Sequence, residues 1–229
     1  VIQGRSVLAV ITARGGSKRL PRKNMRELGG KPLILWTVEA AKKSRYIDRL
    51  ILSSDDNETI SACRAAGCEV PFVRPASLAQ DSTPGVDPVL HALEAVEPHD
   101  YVVLLQPTSP LRSAADIDAA IELCIGKGAS SCVSVTACEK NPYWTQTVDS
   151  SGRLRPLLKR EETGEKSQYY VLNGAVYVAK CDWLKKSRVF AGEDTVAYVM
   201  PGERSVDIDT ELDLDFCSFL IKRRQHASQ

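Results

Sequence analysis

The chain has 229 residues, 43% of them hydrophobic and 26% charged, enough for one well-buried core and short for two large domains. Its net charge of +1 excludes a general basic field, so neither nucleic acid nor an anionic membrane is expected as a partner and any basic patch must be local. No run reaches the ~18 apolar residues of a membrane span, no signal peptide opens the chain, and the seven cysteines are scattered without metal-site spacing; a cytoplasmic protein with buried, reduced thiols is expected.

In chain order, "SVLAVITA" (Ser6–Ala13) reads as a buried strand and "PLILWTVEAAKKS" (Pro32–Ser44) as a helix whose first turn tolerates Pro32. "RLILSS" (Arg49–Ser54) is a second strand. A helix follows, capped by Asp56 or Asn57 and closed by Gly67. "CEVPFV" (Cys68–Val73) reads as a third short strand, Asp87–Val96 as a helix and Tyr101–Gln106 as another buried strand. Ser113 and Asp116 stand at near-capping spacing on a helix that ends at Gly126 or Gly128, and Ser130–Thr136 closes the alternation. Apolar strands alternating with helices indicate an α/β fold with a mostly parallel sheet. The pattern breaks at Cys138–Val171, which is polar, proline-punctuated and expected to be a β-rich arm. The chain then returns to the sheet at "GAVYVAK" and passes through "TVAYVM" and "SVDIDT" to an amphipathic helix from Glu211 to about Gln225.

The loop after the first strand, "ARGGSKRLPRKN" (Ala13–Asn24), holds Arg14, Lys18, Arg19, Arg22 and Lys23 and no acidic residue. In an open α/β sheet this is where ligands bind. Gly15 and Gly16 let the backbone approach closely and turn N–H groups inward, and Arg14, Lys18 and Lys23 can neutralise phosphate oxygens. Neither a Walker A loop nor a GxGxxG fingerprint is present. Gln106 and Thr108, in "QPTSPLR", fall at a strand's carboxyl end and face the same crevice, while Arg112 could cap a carboxylate on the following helix. Asp207 and Asp209 stand two apart, so in an extended segment both carboxylates point one way; beside a phosphate site such a pair suits Mg²⁺. Glu211, Asp213 and Asp215 read as first-turn residues of the last helix. His91, His99 and His226 form no dyad or triad, which argues against a His-based hydrolase. Trp36, Trp144 and Trp183 read as packing residues of the core or arm.

Four stretches in order, "ARGGSKRLPRKN", "VRPASLAQD" (Val73–Asp81), "LLQPTSPLR" (Leu104–Arg112) and "SVDIDTELDL" (Ser205–Leu214), supported by "LNGAVYV", resemble the CMP-sialic acid synthetases, or acylneuraminate cytidylyltransferases. The resemblance spans the whole chain. It implies a single Rossmann-like nucleotidyltransferase domain, residues 1–229, with a small dimerisation arm at 138–171 that joins a homodimer and helps close the partner's sugar site. It implies an enzyme that couples CTP to the 2-hydroxyl of a nine-carbon 2-keto sugar acid and releases pyrophosphate. By resemblance Arg14, Lys18 and Lys23 are catalytic; Gly15, Gly16, Ser17, Asn24, Arg74, Gln106 and Thr108 bind substrate, with Asn24 reading cytosine, Arg74 touching the nucleotide and Gln106 and Thr108 lying where sugar acid and nucleotide meet; and Asp207 and Asp209 hold Mg²⁺. Two departures bear on the sugar. An arginine common in the family's arm is absent: Thr163 or Gly164 falls near its place, with Lys159, Arg160 and Lys166 as nearby cations, and a family serine is replaced by Gly85. "YYVLNGA" is closer to enzymes for legionaminic or related diamino sugar acids. The alternatives are a cytidylyltransferase for an eight-carbon acid such as KDO, another nucleotidyltransferase on this fold, or a non-catalytic nucleotide-binding protein that has kept the fold.

Overall fold

The computed structural model describes residues 1–158 and 168–227. β1 (Val7–Ala13) is apolar on both faces and almost wholly buried, as an interior parallel strand must be. After the basic loop come two short antiparallel strands, β2 (Glu27–Leu28) and β3 (Lys31–Pro32), and then α1 (Leu33–Lys42). β4 (Arg49–Ser54) leads to α2 (Asn57–Ala65), where the Asp56 carboxylate caps Thr59 N at 3.0 Å and Gly67 turns the chain away with φ +76°. α3 (Asp87–Ala95), β5 (Tyr101–Leu105), α4 (Ala114–Gly126) and β6 (Ser131–Ala137) follow. Ser113 and Asp116 form a complete capping box at the start of α4.

The chain then leaves the main sheet for the hairpin β7 (Gln146–Val148) and β8 (Leu154–Pro156) and returns as β9 (Tyr170–Lys180). α5 (Cys181–Ser187), β10 (Thr195–Val199) and α6 (Glu211–Ala227) complete it. Among the described residues the central sheet has six strands in the order β10-β6-β9-β5-β1-β4. β9 runs antiparallel to both its neighbours, and every other pair is parallel. β1 is followed by β4 on one side and later by β5 on the other, so the chain reverses its lateral direction at β1 and opens a crevice beyond the carboxyl ends of β1 and β5.

Alternation along β1 divides the core. Val7, Ala9 and Ile11 pack with α1, α2 and α4, whereas Leu8 and Val10 pack with α3 and α5. A third cluster lies under α6, where Leu214, Cys217, Leu220 and Ile221 cover Leu20, Leu28 and Leu33. Each such side chain, fully buried, contributes about 1.5–3 kcal/mol, so α6 pins the basic loop's exit to the body of the protein. All seven cysteines are free; Cys138 is half-buried and the others buried, with burial pushing the Cys63 thiol up to about 12. No helix among the described residues is long and apolar enough to cross a membrane.

Three local expectations need correction. Cys68–Val73 is not a strand: Glu69 alone bridges to Ile51, and Pro71 removes the next donor a ladder would need. The segment Ser205–Thr210 is irregular and follows a 3₁₀ turn at Gly202–Arg204, so the two aspartates are not held by strand pleating. Arg112 caps no carboxylate. It is buried beneath the crevice and donates to Gln106 O at 3.1 Å, Ala175 O at 2.9 Å and Thr37 Oγ1 at 2.6 Å.

Candidate active site

Beyond the carboxyl ends of β1 and β5 lies a cleft of about 280 Å³, lined among others by Arg14, Ser17, Lys23, Asn24, Arg74, Gln106 and Thr108. These residues come from three separate stretches of sequence and meet because the sheet brings the loops after β1, β4 and β5 to one edge.

The basic loop is held from both sides. Gly15 N donates to Asp55 Oδ1 at 3.0 Å, and a β-carbon on Gly15 would stand 3.1 Å from Asp56 Cβ, so the close approach of loop and α2 requires glycine. Gly16 has open space around it, and Ser17 N turns back to Gly15 O at 3.0 Å. Arg22 adopts the left-handed region (φ +56°), a strained setting for a non-glycine residue that starts the 3₁₀ turn Lys23–Met25. Asn24 is buried and its Nδ2 donates to Arg14 O at 3.1 Å, closing the loop on itself.

Each cation of the loop faces a carboxylate. Arg14 lies 2.7 Å from Asp81, which Lys18 also contacts; the Lys18 hydrogen bond, with Arg14 adding, holds the Asp81 carboxyl below the usual range. Arg19 Nη1 lies 3.1 Å from Asp209 Oδ2, and Lys23 Nζ lies 3.0 Å from Asp209 Oδ1 and 3.0 Å from Ile208 O. Lys23 is the sheltered one, with 17% of its side chain exposed against 82% for Lys18. Arg74 is buried and donates to Ser53 Oγ at 3.0 Å and to Ser53 O; burial lowers its pKa to about 10, which leaves it charged at neutral pH.

The far wall is built by the loop after β5, with β9 packed behind it. Gln106 packs so closely on Gly174 (φ +71°) that a β-carbon there would come within 2.8 Å of Gln106 Oε1. Thr108 O accepts from Ile208 N at 2.8 Å, and the Thr108 side chain hydrogen-bonds Asp207. Asp207 is exposed, yet the protein around its carboxyl raises its pKa. The neighbouring charges of Asp209 and Asp213 add to that rise, and Thr108 and Lys23 oppose it.

Asp207 and Asp209 thus both lie in the field of Lys23. No group of three or more His, Cys, Asp or Glu side chains capable of holding a metal occurs among the described residues. Two carboxylates beside a basic loop fit a hard cation that takes its remaining ligands from substrate oxygens and water, the usual habit of Mg²⁺. Asp213 is committed elsewhere. Its Oδ2 accepts from Asp209 N at 3.0 Å, Thr210 N at 2.7 Å and Thr210 Oγ1 at 2.8 Å, and Asp213 N donates in turn to Thr210 Oγ1 at 3.3 Å, a reciprocal cap on α6. Thr83 and Gly85 also line the cleft. Lys159, Arg160, Thr163, Gly164 and Lys166 lie outside the described residues. Asp81 and Arg112 were not among the expected site residues. Their side-chain partners lie 63 to 75 residues away in the chain, and no spacing signals them.

A family model described as cytidylyltransferase matches residues 8–152. The chain is 35% identical to a CMP-N,N'-diacetyllegionaminic acid synthase of Legionella pneumophila over 96% of this chain and 98% of that protein. It is 32% identical to a pseudaminic acid cytidylyltransferase of Campylobacter jejuni, over 94% of this chain and 96% of that one. Among solved structures, a CMP:2-keto-3-deoxy-manno-octonic acid synthetase complexed with CTP superposes with a TM-score of 0.74 at 20% identity, covering 96% of this chain and 99% of that one.

Proposed function

Because the chain belongs to the cytidylyltransferase family, we propose that this cleft transfers CMP from CTP to the 2-hydroxyl of a nine-carbon 2-keto sugar acid, releasing pyrophosphate. The relatives of nearly equal length named for legionaminic and pseudaminic acids support a nonulosonate as acceptor. The eight-carbon alternative rests on a likeness of fold alone. The observation that carries the reading is the convergence of Lys23, Asn24, Arg74 and Gln106 on one cleft beside Asp207 and Asp209.

The triphosphate lies along the basic loop. Gly15, Gly16 and Ser17 offer backbone N–H groups, and Arg14, Lys18 and Lys23 take the charge of the α-phosphate and of the departing pyrophosphate. One amide N–H of Asn24 is committed to Arg14 O, and its carbonyl oxygen is the acceptor it offers the base. An acceptor there suits cytosine, whose exocyclic amine donates, and opposes uracil, whose oxygen does not. Arg74, fixed by Ser53, adds a nucleotide contact. Gln106 and Thr108 align the sugar acid so that its 2-hydroxyl oxygen bonds to the α-phosphorus as the bond to the bridging oxygen breaks. Asp207 and Asp209 would hold Mg²⁺, which when bound supplies positive charge at the phosphate oxygens.

The molecule acts as a cytoplasmic homodimer in this reading, one domain with an arm at 138–171. Support comes from the β7–β8 hairpin and the 3₁₀ turn Pro142–Trp144 before it, which lie outside the main sheet and expose Trp144, Val148 and Leu154, apolar side chains that a monomer would keep in water. Pyrophosphate release from CTP, with and without sialic, legionaminic, pseudaminic and KDO acids, tests the function. Release only with a nine-carbon acid is the expected result, and equal turnover of KDO refutes the acceptor class.

A further inference from the structure

Asp116 is 1% exposed and has its hydrogen-bonding capacity filled from three elements. Oδ2 accepts from Ser113 N at 2.9 Å, Ser113 Oγ at 2.7 Å and Arg204 Nε at 3.0 Å; Oδ1 accepts from Arg204 Nη2 at 2.8 Å and Tyr198 Oη at 3.0 Å. A cap needs only the Ser113 bonds. The rest of the carboxylate is spent on Arg204, a two-point fork that fixes orientation as well as distance.

What those two residues join matters. Asp116 opens α4 directly after the loop that carries Gln106 and Thr108, and Arg204 ends the 3₁₀ turn three residues before Asp207. The same two segments are tied twice more: Ile208 N donates to Thr108 O at 2.8 Å, and Arg224 on α6 donates to Leu111 O at 3.4 Å and Glu203 O at 2.9 Å. Asp207 and Asp209 sit on irregular backbone, with no strand or helix of their own to aim them. Beside the bonds that Lys23 and Asp213 make to the same segment, these ties set their placement, and the Asp116–Arg204 pair is the ion pair among the three, its carboxylate buried.

We infer that Asp116, acting through Arg204, is a positioning residue for the cation-binding carboxylates Asp207 and Asp209, although it touches neither substrate nor metal. The inference rests on the assignment of Asp207 and Asp209 as the Mg²⁺ ligands. Residues that orient metal ligands typically cost about 10–100-fold in metal affinity or activity when replaced.

The test is calorimetric CTP binding and turnover across a Mg²⁺ titration, well below the melting temperature of each variant. Asp116→Asn should raise the Mg²⁺ needed for half-maximal enhancement of CTP binding about tenfold, and saturating Mg²⁺ should restore much of kcat. Arg204→Lys, which keeps charge without the fork, should shift the requirement by less. Tyr198→Phe removes a different bond from the same carboxylate, and should lower the melting temperature with the Mg²⁺ requirement unmoved. Asp207→Asn is the reference. If it leaves the Mg²⁺ requirement unchanged, the metal assignment itself fails. If it shifts the requirement while folded Asp116→Asn does not, the positioning role is overturned and the pair is structural; should Asp116→Asn not fold, Arg204→Lys is judged by the same criterion.

Discussion

Lys23 Nζ stands 3.0 Å from Asp209 Oδ1, joining the most sheltered cation of the first loop to the acidic segment 186 residues further along the chain. The lysine's other bond, to Ile208 O, fixes it to the same segment. On the proposed function, the charge that would meet phosphate and the charge that would meet a metal therefore belong to one assembly.

Lys23→Ala removes the cation predicted to meet the transferring phosphate. Loss of one such electrostatic contact lowers kcat by roughly 10²–10³. Steady-state kinetics on the folded variant check it, and near-normal kcat would return Lys23 to a purely structural partner of Asp209.

Asp213 should separate from its neighbours. Asp207→Asn and Asp209→Asn are expected to weaken Mg²⁺ dependence and turnover far more than CTP binding. Asp213→Ala should cost about 1 kcal/mol of stability through the lost cap, with Mg²⁺ dependence kept. A Mg²⁺ titration of kcat together with thermal melts decides it, and wild-type behaviour of the first two would locate the metal elsewhere.

Nucleotide choice follows from Asn24. CTP should be strongly preferred over UTP, and Asn24→Asp, which keeps an acceptor but loses the bond to Arg14 O, should disturb the loop and depress turnover with CTP. Equal kcat/KM for UTP and CTP in the wild type would show that the base is read by another group.

Acid should find Asp116. Burial works against its charge, but hydrogen bonds from Arg204 and Ser113 outweigh that and hold its pKa below the usual carboxylate range. The unfolded value is about 3.9. The contribution is thus fully present above about pH 4 and is lost as pH falls through the lower folded value. In melts across pH 2 to 6, the stability gap between wild type and Asp116→Asn should narrow below about pH 4; a gap independent of pH would contradict the assignment.

The arm gives a hydrodynamic prediction. Val148→Asp and Leu154→Asp place charges on the exposed face of the hairpin and should convert a dimer into monomers at micromolar concentration, by sedimentation velocity. A wild type that is already monomeric and fully active would refute the arm's role.

Much of this architecture is legible in the sequence because it rests on local signals. Continuous apolar runs gave β1, β4, β5 and β6, and the Ser113–Asp116 spacing gave the start of α4. The cleft residues were legible as motifs rather than as chemistry: charge counting finds the basic loop, but Asn24 and Arg74 stand out only through resemblance. Strand polarity was not legible, since "GAVYVAK" is equally apolar read in either direction. Nor was Arg112, whose partners are mostly backbone carbonyls and carry no residue signature. The helix α5 was missed because seven residues are too few to show a period.

The antiparallel course of β9 has a consequence for how such a protein can be altered. Ala137, at the end of β6, pairs with Tyr170, at the start of β9, so the excursion between them leaves and re-enters the sheet at the edge where the cleft opens. A parallel strand in that position would have brought one end out on the opposite side. On the proposed function, grafting a different segment between 138 and 169 would leave the cleft-lining loops after β1, β4 and β5 in place, which makes that splice a natural place to test acceptor choice in the laboratory.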